Sequence, residues 1–273
     1  MAIEKMDRSG YFVIHLYLIV EILCYFLVPY LAMDLDLVYV AMAGWTAGFI
    51  TPSVGLFHEL IHLRNKAWYT KTLYYLEQVF SSIWWIEQHH LFSHHPYGNT
   101  KNDMGHPSRN KNRLRYIFEY VIEPIYWFGL RRCKVKMLLS MLTMVGLYLL
   151  FGWHGVVYMA MTNIGFYYTT GAGNYVQHYG LDELPLSDEA KGKYAWDDFS
   201  ILGYYFGFNL HIHSHHHNDT YKPFDKLGRV KGRPVVPYGT PLLMVLLLLP
   251  IPLFHTIMNK RLDRYLLKFK ENQ

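Results

Sequence analysis

The sequence predicts an all-α integral membrane protein with at least four transmembrane helices and one histidine-rich site at their cytoplasmic ends. Three observations carry this. Apolar stretches 11–31 and 37–57 are each 21 residues long, which as helix at about 1.5 Å per residue spans roughly 30 Å, the thickness of a bilayer core. A basic cluster (Arg109, Lys111, Arg113, Arg115, Arg131, Arg132, Lys134 and Lys136) occupies one connecting loop, which the positive-inside rule makes cytoplasmic. Twelve of the sixteen histidines fall in four short groups.

Taken in order, the elements bring those groups to one membrane face. The 11–31 run follows the basic residues Lys5 and Arg8 and ends before Asp34 and Asp36. Its apolar core is too long for a secretory signal and no small-residue cleavage site follows, so it reads as an anchor. The 37–57 run returns and delivers HELIHLRNK (58–66) to the cytoplasm. The next apolar run, 73–86, is short and carries Glu77 and Gln78; it reads as an interfacial or re-entrant helix, leaving QHHLFSHH (88–95) on the same side. A hairpin of spans at 136–152 and 155–175, turning at Trp153-His154-Gly155, then releases NYVQHYG (174–180) there. No convincing span separates it from HIHSHHH (211–217). A fifth apolar run, 240–257, is broken by Pro250 and Pro252 and flanked by Lys231, Arg233, Lys260, Arg261 and Arg264, so charge does not orient it and it stays unassigned.

Composition supports one unit, a single membrane-embedded domain over residues 1–273. The mean hydropathy of +0.03 averages apolar spans with a polar remainder. The net charge of +5 is local to the basic loop, and beside these spans it argues against nucleic-acid binding. Cys24 lies in a span and Cys133 in the basic loop, which supports neither a disulfide framework nor a thiolate metal site.

Helical spacing turns the histidines into ligand candidates. His58 and His62 are i, i+4; His90 and His94 are i, i+4 with His95 beside them; His213, His216 and His217 are i, i+3, i+4. Each set faces one way on a helix. Imidazole suits zinc, copper, iron and nickel alike, but a tetrahedral zinc site is filled by four ligands. With His178, nine well-spaced histidines are on offer, which fits two ions of higher coordination. A pair of irons with open positions for dioxygen is the economical account. Two rivals explain less. HELIH also fits the H-E-x-x-H pattern of an intramembrane zinc protease, with Glu59 as general base, and leaves six histidines without a role. A metal transporter places ligands within its spans, whereas these lie at span ends.

The four segments HELIH (58–62), HLFSHH (90–95), NYVQHYGL (174–181) and NLHIHSHHH (209–217) resemble the histidine motifs of the membrane alkane 1-monooxygenases, non-haem di-iron enzymes of the wider fatty-acid desaturase and hydroxylase superfamily. The third segment is the most specific, because desaturases lack it in that form. VVPYGTPLLMVLLLLPIPLFHTIM (235–258) resembles the family's closing apolar segment, and the likeness covers roughly residues 50–260. The resemblance implies metal ligands at His58, His62, His90, His94, His95, His178, His213, His216 and His217. It implies a hydrophobic alkyl substrate, activation of O2 at two irons and hydroxylation of a terminal methyl, the second oxygen leaving as water. Electrons would come from a rubredoxin-type carrier and its NAD(P)H-dependent reductase, with the basic loop 109–136 as the docking place for an acidic carrier. Two isolated cysteines cannot form a fused rubredoxin site. A desaturase of the same superfamily is the alternative reading.

The motifs also depart from the family pattern. Where the family has acids before the second- and third-motif histidines and inside the fourth, this sequence has His89, Gln177 and His215. Acidic partners orient ligand imidazoles, so Asp103, Asp182, Glu183 and Asp219 are the substitutes nearest in sequence, with Glu59 and Glu87 one turn from ligands. Fewer residues precede HELIH than in the family, and a helical hairpin lining the substrate channel is expected to be absent. Of the remaining histidines, His15, His154 and His255 read as packing residues, His211 as an outer or redundant one, and His106 is open. Glu21 inside the first span is either functional or a helix contact. Trp84, Trp85, Trp127 and Trp153 fit an interfacial belt.

Overall fold

The computed structural model describes residues 8–50, 53–63, 66–207 and 210–271. Lys5, used above to orient the chain, and Asn209 at the start of the fourth motif lie outside them. Among the described residues all regular structure is helical apart from one isolated bridge between Asp197 and Val235.

Helices α1 (Arg8–Leu31) and α2 (Leu37–Ile50) are followed by α3 (Ser53–His62), which carries the first histidine pair. Of the described helices, α1 and α9 (Lys134–Phe151) are long and apolar enough to cross a membrane. Their flanks expose Leu16, Leu23, Leu27, Leu138, Leu142 and Leu149, a surface that water disfavours and lipid accepts. The 37–57 run, expected as one span, is instead two helices bent by 49°, which make a third crossing only if the pair acts as one.

α4 (Trp68–Phe80) is the short element expected near 73–86, displaced toward its start. Its polar residues make side-chain bonds within the protein. Ser81 donates its hydroxyl to Glu77, and Lys136 on α9 donates to Gln78 Oε1. Then come α5 (Ile86–His89), a π-helical turn (His90–His94) and α6 (His95–Tyr97). α7 (Arg113–Pro124), capped by the Asn112 side chain on the Arg115 N–H, runs through a second π turn into α8 (Leu130–Arg132).

The centre of the fold is α10 (Trp153–His178), 26 residues long with 16 of them buried. It exceeds the expected 155–175 span at both ends. Thr162, Asn163, Thr170, Asn174 and Gln177 are buried along it, so length alone would let it cross and composition keeps it out of the apolar class. α10 packs most extensively on α2 and also touches α1, α7, α9 and α14. Close approach to α2 is made by small residues: a Cβ at Gly48 would lie 2.0 Å from the Thr162 carbonyl oxygen. Such a seam lets apolar helices gain dispersion contact where no hydrophobic effect between them operates.

The remainder closes over the end of α10. Short helices α11 (Asp188–Lys191), α12 (Ile201–Gly207) and α13 (His213–Asn218) lead to α14 (Thr240–Leu248) and α15 (Leu253–Glu271). The apolar run 240–257 is therefore two helices, broken between Leu248 and Leu253 where its prolines stand. Asp197 fixes the start of α13, accepting the Ser214 N–H at 2.8 Å and its hydroxyl at 2.5 Å.

Candidate metal centre

Four stretches of chain bring nine histidines into two adjacent groups. His58, His62, His90, His95 and His216 form one, and His94, His178, His213 and His217 the other; within each group one ring nitrogen per residue lies within 4.8 Å of all the others. The groups abut, with the rings of His95 and His217 4.8 Å apart.

The π turn decides which ring goes where. His95 N–H bonds the His90 carbonyl, five residues back, so the turn is wider than an α turn. His90 and His95 therefore share one group, their Nε2 atoms 2.8 Å apart, while His94 joins the other. The sequence pairing of His90 with His94 by α-helical spacing is corrected here. In α13 the spacing is α-helical. His213 and His217 meet at 3.1 Å, and His216 turns to the five-membered group, 3.1 Å from His95.

Burial favours the neutral form in five of these rings. His90, His95, His216 and His217 are pushed well below the usual imidazole range and His213 down to about 3, first by desolvation and then by neighbouring imidazoles. A neutral ring has one acceptor nitrogen. In the four-membered group three outer nitrogens are held: His94 Nδ1 lies 3.0 Å from Asp103 Oδ2, His178 Nδ1 2.9 Å from Asn99 Oδ1, and His213 Nδ1 3.1 Å from the Leu210 carbonyl, while His217 Nδ1 has no partner among the described residues. A ring that donates outward in this way turns the lone pair of Nε2 inward. Burial alone would raise the Asp103 carboxyl, but His94, His89 and the Gly105 N–H outweigh it and hold the carboxyl below the usual range.

The donor set fits metal better than it fits itself. Buried His58, His94 and His178 Nε2 atoms have no hydrogen-bond partner among the described residues. The Nε2 atoms of His62, His90 and His95 are mutually 2.8–3.1 Å apart, and three such atoms cannot all be satisfied by donating to one another. A cation resolves the conflict. With metal–nitrogen bonds of about 2.0–2.1 Å, donors at right angles stand about 3.0 Å apart and tetrahedral donors about 3.4 Å. The observed separations of 2.8–3.1 Å lie nearer the right-angle value.

Against both groups lies an apolar cavity of about 220 Å³. It touches His58 and His90 of one group and His94 and His213 of the other, with Phe49, Phe57, Phe166 and Met244 among its walls.

The outer residues expected from sequence scatter. Asp103 braces His94, and His89 is fully buried with Nε2 3.9 Å from the same carboxylate. Gln177 lines the cavity. The others engage elsewhere: Glu59 takes the Phe224 backbone N–H, Glu87 pairs with Lys136 at 3.5 Å, Asp182 sits 3.5 Å from His106, and Glu183 pairs with Arg109 at 2.8 Å. His215 Nδ1 faces the Gly228 backbone, and Asp219 is exposed at the end of α13. Neither His215 nor any of these acids belongs to a group. That position of Glu59 also removes the support for the protease reading of HELIH. His15, His154 and His255 pair with Thr70, the Leu35 carbonyl and Tyr175 respectively. The basic loop is not one patch, since Arg109, Lys111, Arg115 and Lys136 form ion pairs within the protein. Sequence reasoning missed Asn99, whose φ of 58° and bonds to the Lys191 and Tyr194 carbonyls fix it beneath His178; an Asn four residues after His95 was the available signal. It also missed Asp197, the anchor of α13.

Comparison with known proteins agrees with this geometry. Residues 35–245 match the fatty acid desaturase family model. The chain is 24% identical over 260 residues to alkane 1-monooxygenase 2 of Alcanivorax borkumensis, covering 83% of this chain and 64% of that protein. It is 28% identical over 153 residues to alkane 1-monooxygenase 1 of Pseudomonas aeruginosa, covering 55% and 37%. The chain thus spans less than two thirds of the length of these relatives. With more than half of its length matched by the family model, and with its histidines gathered as described, the chain belongs to the fatty acid desaturase family, within which it is similar to the alkane 1-monooxygenases.

Proposed function

We propose that the protein is an integral membrane, non-haem di-iron monooxygenase that hydroxylates the terminal methyl of an alkane or alkyl chain. One observation carries the reading: an apolar cavity lies against rings of both histidine groups at once. In this reading His58, His62, His90, His95 and His216 hold one iron and His94, His178, His213 and His217 the other. The bound irons supply reductive activation of O2, so that a C–H bond, O2, two electrons and two protons give an alcohol and water. The protein's part is positional. Asp103, Asn99 and the Leu210 carbonyl fix three rings, and the aromatic walls hold the chain and exclude water from its reacting end. α1, the bent α2–α3 pair, α9 and α10 form four spans, with the histidines at the cytoplasmic face. The electron donor is a small acidic carrier of rubredoxin type, served by an NAD(P)H-dependent reductase and docking near Arg131, Arg132 and Lys134.

Metal analysis of detergent-purified protein is expected to find two irons per chain, and cells expressing it and fed alkanes are expected to form terminal alcohols. One zinc per chain would end this reading. A double bond in place of a hydroxyl would move it to a desaturase, the other chemistry within the family.

A further inference from the structure

Two buried polar atoms at the cavity serve no purpose in the reading above. His211 and Thr240 line it at 4% and 6% exposure, and neither His211 Nδ1 nor Thr240 Oγ1 has a hydrogen-bond partner among the described residues. Both are tied to one anchor. The Asp198 N–H donates to the His211 carbonyl at 2.8 Å, and Asp198 Oδ2 accepts the Thr240 N–H at 2.6 Å. The slot around the ring depends on glycines of α12, since a Cβ at Gly203 would lie 2.9 Å from His211 Cδ2 and one at Gly207 2.8 Å from His211 Nδ1.

An unbranched hydrocarbon offers these atoms nothing, and a buried donor or acceptor left unpaired is penalised. An oxygen atom on the bound molecule removes the penalty. Its charge is constrained as well: the described residues lining the cavity include no lysine or arginine, and the Asp198 side chain stands behind both residues. A carboxylate seated against His211 and Thr240 would meet the Asp198 carboxylate with no basic side chain of that lining beside it. We propose that His211 and Thr240 form a subsite for a neutral oxygen function, so that the preferred substrate is an alkyl chain bearing an alcohol, ether, ester or aldehyde. The inference rests on the cavity being the substrate site.

The test uses purified protein in nanodiscs, its iron content measured in parallel, and equilibrium binding of radiolabelled decane, 1-decanol and decanoate, independent of turnover. Decanol is expected to bind about tenfold or more tighter than decane after correction for partition into empty nanodiscs, with decanoate weaker than decanol. Thr240→Val and His211→Phe are expected to abolish the preference for decanol, and Thr240→Ser to keep it. Equal binding of decane and decanol by the wild-type protein overturns the subsite, as does a preference untouched by Thr240→Val, which would leave ordered water as the partner of these atoms. Failure of the monooxygenase reading is seen separately, as protein that binds decanol by this pattern yet holds no iron and oxidises nothing.

Discussion

The two histidine groups hold the same donor and differ in what holds the donor. In the four-membered group three rings have outer acceptors, each on its Nδ1. In the five-membered group the buried Nδ1 atoms of His62 and His95 have no partner among the described residues, and order comes from imidazoles packed edge to face, as His62 and His95 are at 4.7 Å. His217 of the four-membered group shares that lack of a partner on Nδ1, so the contrast is one of degree: three rings held from outside against at least two that are not. Outer partners of this kind typically carry 10- to 100-fold in metal affinity. The more heavily braced group is therefore expected to be the tighter of the two.

Removing a ring tests the comparison most severely. His178→Ala deletes one of only four donors and is expected to lower iron from two to one per chain and product formation by at least about 100-fold. His58→Ala leaves four donors in its group and is expected to retain more iron. Metal analysis and product yield on the two purified variants check this, and equal iron loss would erase the distinction.

Removing a brace is milder. Asp103→Asn is expected to weaken the iron of the four-membered group by about 10- to 100-fold, roughly 1.4–2.8 kcal/mol, and Asn99→Ala by about tenfold. Glu87→Gln, at a carboxylate that pairs with Lys136 and belongs to neither group, should leave metal affinity unchanged. Competition against a calibrated chelator measures all three; an effect of Glu87→Gln as large as that of Asp103→Asn would sink the assignment of the brace.

Proton linkage probes both groups without metal. The folded-state pKa of His90, His95, His213, His216 and His217 lies below the unfolded value of 6.5, so the unfolded chain binds protons first as pH falls. Stability of the metal-free protein is fully present above pH 6.5 and declines below it toward the folded values, about 3 for His213. Each such histidine contributes about 1.4 kcal/mol per pH unit. Thermal unfolding in chelator is expected to shift down between pH 7 and 5.5, and iron should abolish most of that shift. A flat profile would mean the rings are not buried together. The smallest effect expected is kinetic: during slow chelation the five-membered group should empty first, seen as two phases of iron release rather than one.

Much of this was legible in the residues, because ligand chemistry tolerates few substitutes. HELIH, HLFSHH, NYVQHYG and HIHSHHH name their own histidines, and apolar runs announce α1 and α9. What escaped was geometry that depends on the partner. Periodicity in 37–57 could not foresee the bend in that run, and α10, expected as a span at 155–175, is not among the described helices apolar enough to cross because it carries buried Thr162, Asn163, Thr170, Asn174 and Gln177. Glu87, Asp182, Glu183 and Asp219 were near the ligands in sequence, but Glu87 and Glu183 pair with Lys136 and Arg109, Asp182 faces His106, and Asp219 lies exposed. Asn99 was overlooked since its role depends on a left-handed backbone and on carbonyls over ninety residues away. The assignment of His90 to His95 rather than His94 is of the same kind.

That widened turn also sets how the donors are shared out. The i→i+5 bond from His95 to His90 sends the neighbouring rings of His94 and His95 to different groups. Shorten 91–93 by one position and a regular α-helix would carry all three imidazoles on a single side, so one backbone hydrogen bond separates a divided donor set from a crowded one.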